Sequence, residues 1–113
     1  MKYIDVSELN ILIKEDSNMI IIDVRSEAEY KQAHVPQTRI VPIDDLFDMP
    51  QTSIKFIQEL TANQETIYVI CLSDGRSMRA CQILAAYNMT NTCFVRGGTK
   101  AWINAGYPTL TGH

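Results

Sequence analysis

The chain has 113 residues, the length of one ordinary domain, and its 46% hydrophobic content suits a packed core and excludes a disordered segment. A net charge of −3 excludes the basic surplus of a dedicated nucleic-acid binder, and no run of about 18 apolar residues offers a membrane span. Three cysteines, Cys71, Cys81 and Cys93, form no C-x-x-C pair, so they read as reduced thiols rather than a disulfide framework or a zinc site.

The elements alternate along the chain. Tyr3–Asp5 reads as a short strand with no apolar signal region before it, so a cytoplasmic protein is expected. Ser7 is the expected N-cap of a helix bearing Leu9, Leu12 and Ile13 at helical spacing. Asn18–Val24 holds Met19 and three isoleucines, a run apolar on both faces that suits a central strand of a parallel sheet. Ser26 and Glu29 make a capping box for a short helix over Glu27–Gln32. His34–Arg39 reads as a turn, Ile40–Val41 as a short strand closed by Pro42, and Asp44 and Asp45 open a single helical turn. Beyond Pro50, Ser53 is the expected cap of a helix whose apolar face is Ile54, Ile57 and Leu60, with Phe56 beside it. The strand Thr66–Ile70 leads through a loop into a helix starting near Arg76 or Ser77, with Ala80, Leu84 and Tyr87 on one side. Thr92–Val95 is the last strand. Gly97 and Gly98 then turn the chain into a helix that carries Trp102 and ends near Gly106, ahead of Pro108. Without repeats or linkers, residues 1–113 are expected to form one domain.

Strands alternating with helices predict an α/β domain with a mainly parallel sheet, whose ligand site lies beyond the carboxyl ends of the strands. Asp23 to Arg25, Cys71 and Arg96 to Gly98 all fall at such ends. The most telling stretch is Thr66 to Ser77, where an apolar strand ends on Cys71 and a tight loop enters a helix. Free amides and the positive end of that helix stabilise negative charge on a sulfur or a bound anion. Only a thiolate is strongly nucleophilic, and thiols so placed commonly ionise readily. A buried structural cysteine at a strand end is the plainer alternative, and the Asp74-Gly75-Arg76-Ser77 loop weighs against it.

In these residues the chain resembles the rhodanese (sulfurtransferase) domain over nearly its whole length. The matching pieces, in order, are Ile22-Asp23-Val24-Arg25, Glu29-Tyr30, Ala33-His34-Val35-Pro36, Ile43 and the acidic turn after it. Cys71 to Ser77, Asn91, Arg96-Gly97-Gly98, Ala101-Trp102 and Ala105-Gly106-Tyr107-Pro108 complete the series. The resemblance implies a small rhodanese-like α/β fold, with a mainly parallel five-stranded sheet and helices on both faces. It also implies that Cys71 carries a persulfide from a donor, thiosulfate or a protein persulfide, to a thiol or cyanide acceptor, with no metal or organic cofactor. Cys71 and Arg76 have four residues between them, as in active sulfurtransferases; related phosphatases of this fold have a loop one residue longer. A carrier or interaction module with little thiosulfate activity is the alternative.

The chain departs from the family pattern at Gln37 and Ile40, where a glycine and an asparagine are usual, at Asp74, where a glycine is common, and at Arg96, where a glutamate often stands. The loop residues Leu72, Ser73, Asp74, Gly75, Arg76 and Ser77 are the candidate substrate-binding set. Arg76 is read as the anion contact, against a plain helix-start residue facing solvent or paired with Asp74. Ser73 and Ser77 are read as hydroxyl donors or helix caps. Asp74 would repel thiosulfate and is expected to point out of the loop, bound to Arg79. Asp23 and Arg25 are expected to brace the loop, Arg25 pairing with Glu29 or another acid. Leu72 offers an apolar contact at the pocket mouth. His34 reads as structural, Cys81, Cys93 and Trp102 as core, and Arg39 and Arg96 as surface charges.

Overall fold

The computed structural model describes residues 1–113. In chain order the elements are β1 (Tyr3–Ile4), α1 (Val6–Glu15), β2 (Ile21–Asp23), α2 (Glu27–Gln32), β3 (Thr38–Ile40) and α3 (Ile43–Asp48). There follow α4 (Pro50–Leu60), β4 (Ile67–Ile70), α5 (Gly75–Ala86), β5 (Thr92–Val95) and α6 (Gly98–Asn104). The strands form one sheet in the order β1-β5-β4-β2-β3, and every neighbouring pair is parallel. The resemblance implied a mainly parallel five-stranded sheet; this one is parallel throughout.

Both faces of the sheet are covered, which is why its central strands are apolar at successive positions. Ile22, Ile67, Val69 and Phe94 pack with Leu46, Ile54, Ile57, Ala80 and Leu84 from α3, α4 and α5. Ile21, Ile70 and Val95 pack on the other face with Leu9 of α1 and Trp102 of α6. Adjacent residues of one strand thus feed two cores, as period-2 alternation requires. Cys71 belongs to the first core, and its strand lies between β2 and β5.

Several local expectations are corrected. Asp5, not Ser7, caps α1: its carboxylate accepts the Glu8 amide at 2.9 Å, Glu8 reaches back to the Asp5 amide, and the Ser7 hydroxyl donates to Asp5. The third strand is Thr38–Ile40 rather than Ile40–Val41, because Thr38 pairs with Ile21 and Ile40 with Asp23. The acidic turn at Asp44 and Asp45 extends to a six-residue helix. Pro50 opens α4, so Ser53 lies within it and donates its hydroxyl to the Asp45 carbonyl. The α5 helix begins at Gly75 and ends at Ala86, so Tyr87 is its C-cap, 42% exposed, rather than part of the helix.

Gln37 holds the family's glycine position with φ +66°, a left-handed conformation that costs a non-glycine residue about 1–2 kcal/mol. Its side chain compensates by donating to the carbonyls of Asp16 at 3.0 Å and Met19 at 2.8 Å. Gln37→Ala keeps the strain and loses both bonds, so it should cost about 2 kcal/mol. Gln37→Gly loses the bonds but relieves the strain, and should unfold in urea about 1 kcal/mol above the alanine variant.

Candidate active site

The loop after β4 is held by its carbonyls. The Cys71 carbonyl accepts the Thr99 amide at 2.9 Å and the Thr99 hydroxyl at 3.1 Å, and the Leu72 carbonyl accepts the Lys100 amide at 3.0 Å. Gly98 lies directly beneath: a Cβ there would stand 2.4 Å from the Cys71 carbonyl oxygen and 2.6 Å from those of Leu72 and Ser73. The peptides are trans, and in a planar trans peptide the N–H points opposite to the C=O. Two carbonyls tied to α6 and a third facing Gly98 therefore turn the amides of Leu72, Ser73 and Asp74 to the other side. None of the amides from Leu72 to Ser77 meets a protein acceptor. The loop is a nest of free donors that starts at a buried sulfur; Cys71 is 1% exposed.

Ser77 is buried at the base of this nest. Its hydroxyl lies 3.3 Å from Cys71 Sγ, which donates to it as a thiol, and the hydroxyl itself donates to the Asp74 carbonyl at 2.9 Å. One proton thus has two claimants. When the sulfur ionises, the hydroxyl can rotate to donate to Sγ. Asp74 does not reach Arg79, which bonds Gln82 instead; its carboxylate accepts the Gly97 amide at 2.8 Å and ties the loop to the turn before α6.

Arg76 does not pair with Asp74. Its two terminal nitrogens grip Glu29 of α2 bidentately, at 2.6 and 2.9 Å. This guanidinium, above all other causes, holds the Glu29 carboxyl down to about 2, and Glu29 in turn pushes Arg76 upward. Arg25 is buried and pairs with Asp23, not Glu29: Nε and Nη2 donate to the carboxylate at 3.0–3.1 Å, and Nη2 also donates to the Ala33 carbonyl at 2.8 Å. Two clefts flank the Arg76–Glu29 pair and share Arg25. One, of 290 Å³, is lined by Glu29, Leu72, Thr99 and Ile103; the other, of 110 Å³, by Ile43, Asp44 and Arg76. Ser73 and Gly75 are exposed on the loop, and Leu72 is 43% exposed at the cleft mouth.

The remaining residues lie apart from this chemistry. His34 stacks on Tyr30, and Arg96 lies over the Tyr3 ring. Cys81 and Cys93 are buried, and burial pushes both thiols up. Arg39 is exposed on β3, at the edge of the sheet. The sequence placed Gly98 in a turn at the ligand edge and offered Glu29 as a helix cap or a partner of Arg25, but joined neither to the Cys71 loop. Their contacts with the loop join segments 27 and 47 positions apart, beyond any local pattern.

A parallel five-stranded sheet, with a cysteine-headed loop between its middle strand and the next helix, defines the rhodanese-like class. The chain belongs to that family: the rhodanese-like domain matches residues 5–105. It is 29% identical to thiosulfate sulfurtransferase 18 of Arabidopsis thaliana, over 96% of this chain and 82% of that protein. It is 25% identical to a sulfurtransferase of Allochromatium vinosum, over 95% of this chain and 92% of the other. The fold matches a thiosulfate sulfurtransferase of Pseudomonas aeruginosa with a TM-score of 0.84 at 23% identity, covering all of this chain and 21% of that one. The chain is thus a member of the rhodanese-like sulfurtransferase family. No helix in it is long and apolar enough to cross a membrane.

Proposed function

We propose that the protein, with residues 1–113 acting as one domain, transfers sulfane sulfur through a persulfide on Cys71. The observation that carries this reading is the run of unpartnered amides from Leu72 to Ser77 that follows Cys71 at the end of a buried strand. Folded about the sulfur, such amides stabilise a thiolate before transfer and a persulfide anion after it, and they are fixed before the reaction begins.

In the first step the Cys71 thiolate attacks the outer sulfur of the donor. A new S–S bond forms at Sγ, the donor's own S–S bond breaks, and sulfite or a thiolate departs with the electron pair. In the second step an acceptor thiolate or cyanide attacks the terminal sulfur and returns Cys71 as a thiolate. Both steps balance without an external oxidant or reductant. The amides of Leu72, Ser73, Asp74, Gly75, Arg76 and Ser77 hold the terminal sulfur, with the Ser77 hydroxyl as a further donor. Asp23 and Arg25 brace the loop from the neighbouring strand. A carrier with little thiosulfate activity is the second reading, favoured by the Asp74 carboxylate within the loop and by Glu29 on the loop's one guanidinium.

Intact mass distinguishes these outcomes. Reduced protein treated with thiosulfate or with a protein persulfide should gain one sulfur atom, and cyanide should remove it as thiocyanate. Cys71→Ser should gain none despite retaining Cys81 and Cys93. Gain from the protein persulfide alone would favour the carrier; no gain from either donor would end the proposal.

A further inference from the structure

We propose that Glu29 sets donor selectivity: it occupies Arg76 as a resident anion, so that a doubly charged oxyanion donor must displace it to be held. This rests on the sulfur-transfer reading and deepens it. The fork of Arg76 is the only guanidinium of the loop, and an oxyanion would use the same two parallel N–H bonds that Glu29 already takes. Glu29 is itself anchored, since its Oε1 also accepts the Ser26 amide at 3.1 Å and the Ser26 hydroxyl at 3.0 Å. The one cation that lines both clefts, Arg25, is committed to Asp23 and the Ala33 carbonyl. Asp44 adds negative charge in the smaller cleft. An incoming dianion therefore meets two neutralised guanidiniums and one further carboxylate. A singly charged persulfide needs only the free amides, and its thiol end can rest against the exposed side chains of Leu72 and Ile103, which line the larger cleft.

Helix capping does not account for the pair. The capping box needs a residue at this position that reaches back to the Ser26 amide, and glutamine does this as glutamate does. Glu29→Gln therefore removes the charge while keeping the cap, and Ser26→Ala weakens the cap while keeping the charge.

The test compares steady-state transfer to cyanide from thiosulfate and from the persulfide of 2-mercaptoethanol, which carries at most one charge. Relative to the unmodified protein, Glu29→Gln should lower KM for thiosulfate about tenfold with kcat within about twofold, and leave KM for the persulfide within about twofold. Sulfite, which leaves in the first step, should inhibit Glu29→Gln more strongly by a similar factor. Ser26→Ala removes one of the bonds to Glu29 but keeps the Ser26 amide and Arg76 bonds, so it should unfold at a lower temperature with both KM values within about twofold. An unchanged or raised thiosulfate KM in Glu29→Gln overturns the inference and makes Glu29 a simple orienter of Arg76. Absence of transfer from both donors in the unmodified protein would instead overturn the sulfur-transfer reading itself.

Discussion

Gly98→Ala should lower stability by about 3 kcal/mol and abolish sulfur loading of Cys71. Two costs add at this position. The backbone sits at φ +60°, which disfavours any side chain, and a methyl group would press on three carbonyl oxygens at 2.4–2.6 Å. Those oxygens cannot yield separately, because two of them are the acceptors that fasten the loop to α6. Pushing them away rotates the same peptides whose amides are the free donors of the nest, so the damage to stability and to the nest is one event. Gly106 separates strain from collision: it has φ +81° with nothing within 4 Å of its missing Cβ. Gly106→Ala should cost only about 1 kcal/mol and leave loading intact. Urea unfolding and intact mass on both variants check this. Equal stability losses would mean that the loop slides aside without harm and that Gly98 is not its floor.

What the sequence disclosed depended on how far apart the interacting residues lie. The α/β alternation was legible because a strand covered on both faces must be apolar at successive positions, as in Ile20 to Ile22 and Ile67 to Ile70. The Ser26–Glu29 box was legible because cap and partner are three residues apart. The same rule favoured Asp5 over Ser7, since Glu8 stands three residues beyond Asp5, whereas Asn10 stands three beyond Ser7. Pro50 likewise marked the start of α4, because a proline suits a first helical position that needs no donor. The limits of β3 were not legible, for they follow from pairing with β2, which slides the strand to Thr38. Least legible were the partners of charged residues. Local spacing offered Arg79 to Asp74 and, as the alternative to an anion contact, Asp74 to Arg76, while the fold brings Gly97 and Glu29 to them from elsewhere in the chain.

The buried pair of Asp23 and Arg25 carries the other large expected effect: Asp23→Asn should cost about 3–5 kcal/mol. Asp23 is the last residue of β2 and pairs in register with Ile70, so it lies one residue from Cys71 across the sheet. It is fully buried and Arg25 is 4% exposed, and besides the guanidinium the carboxylate accepts the Arg25 amide at 3.0 Å. Asparagine nearly matches the shape but leaves a guanidinium without its counter-charge in a place water does not reach. That loss exceeds the value of the pair itself, because desolvating the lone ion is the dominant cost. Adding Arg25→Met removes the stranded charge, so the double variant should regain at least half of the loss in urea unfolding. Loading should respond differently. The methionine cannot bond the Ala33 carbonyl, which Arg25 holds beside the larger cleft, so the double variant should recover stability but still take up sulfur several-fold more slowly. Recovery of both properties together would reduce the pair to a stabilising contact; recovery of stability alone identifies it as the brace that keeps the cleft wall in place beside the loop.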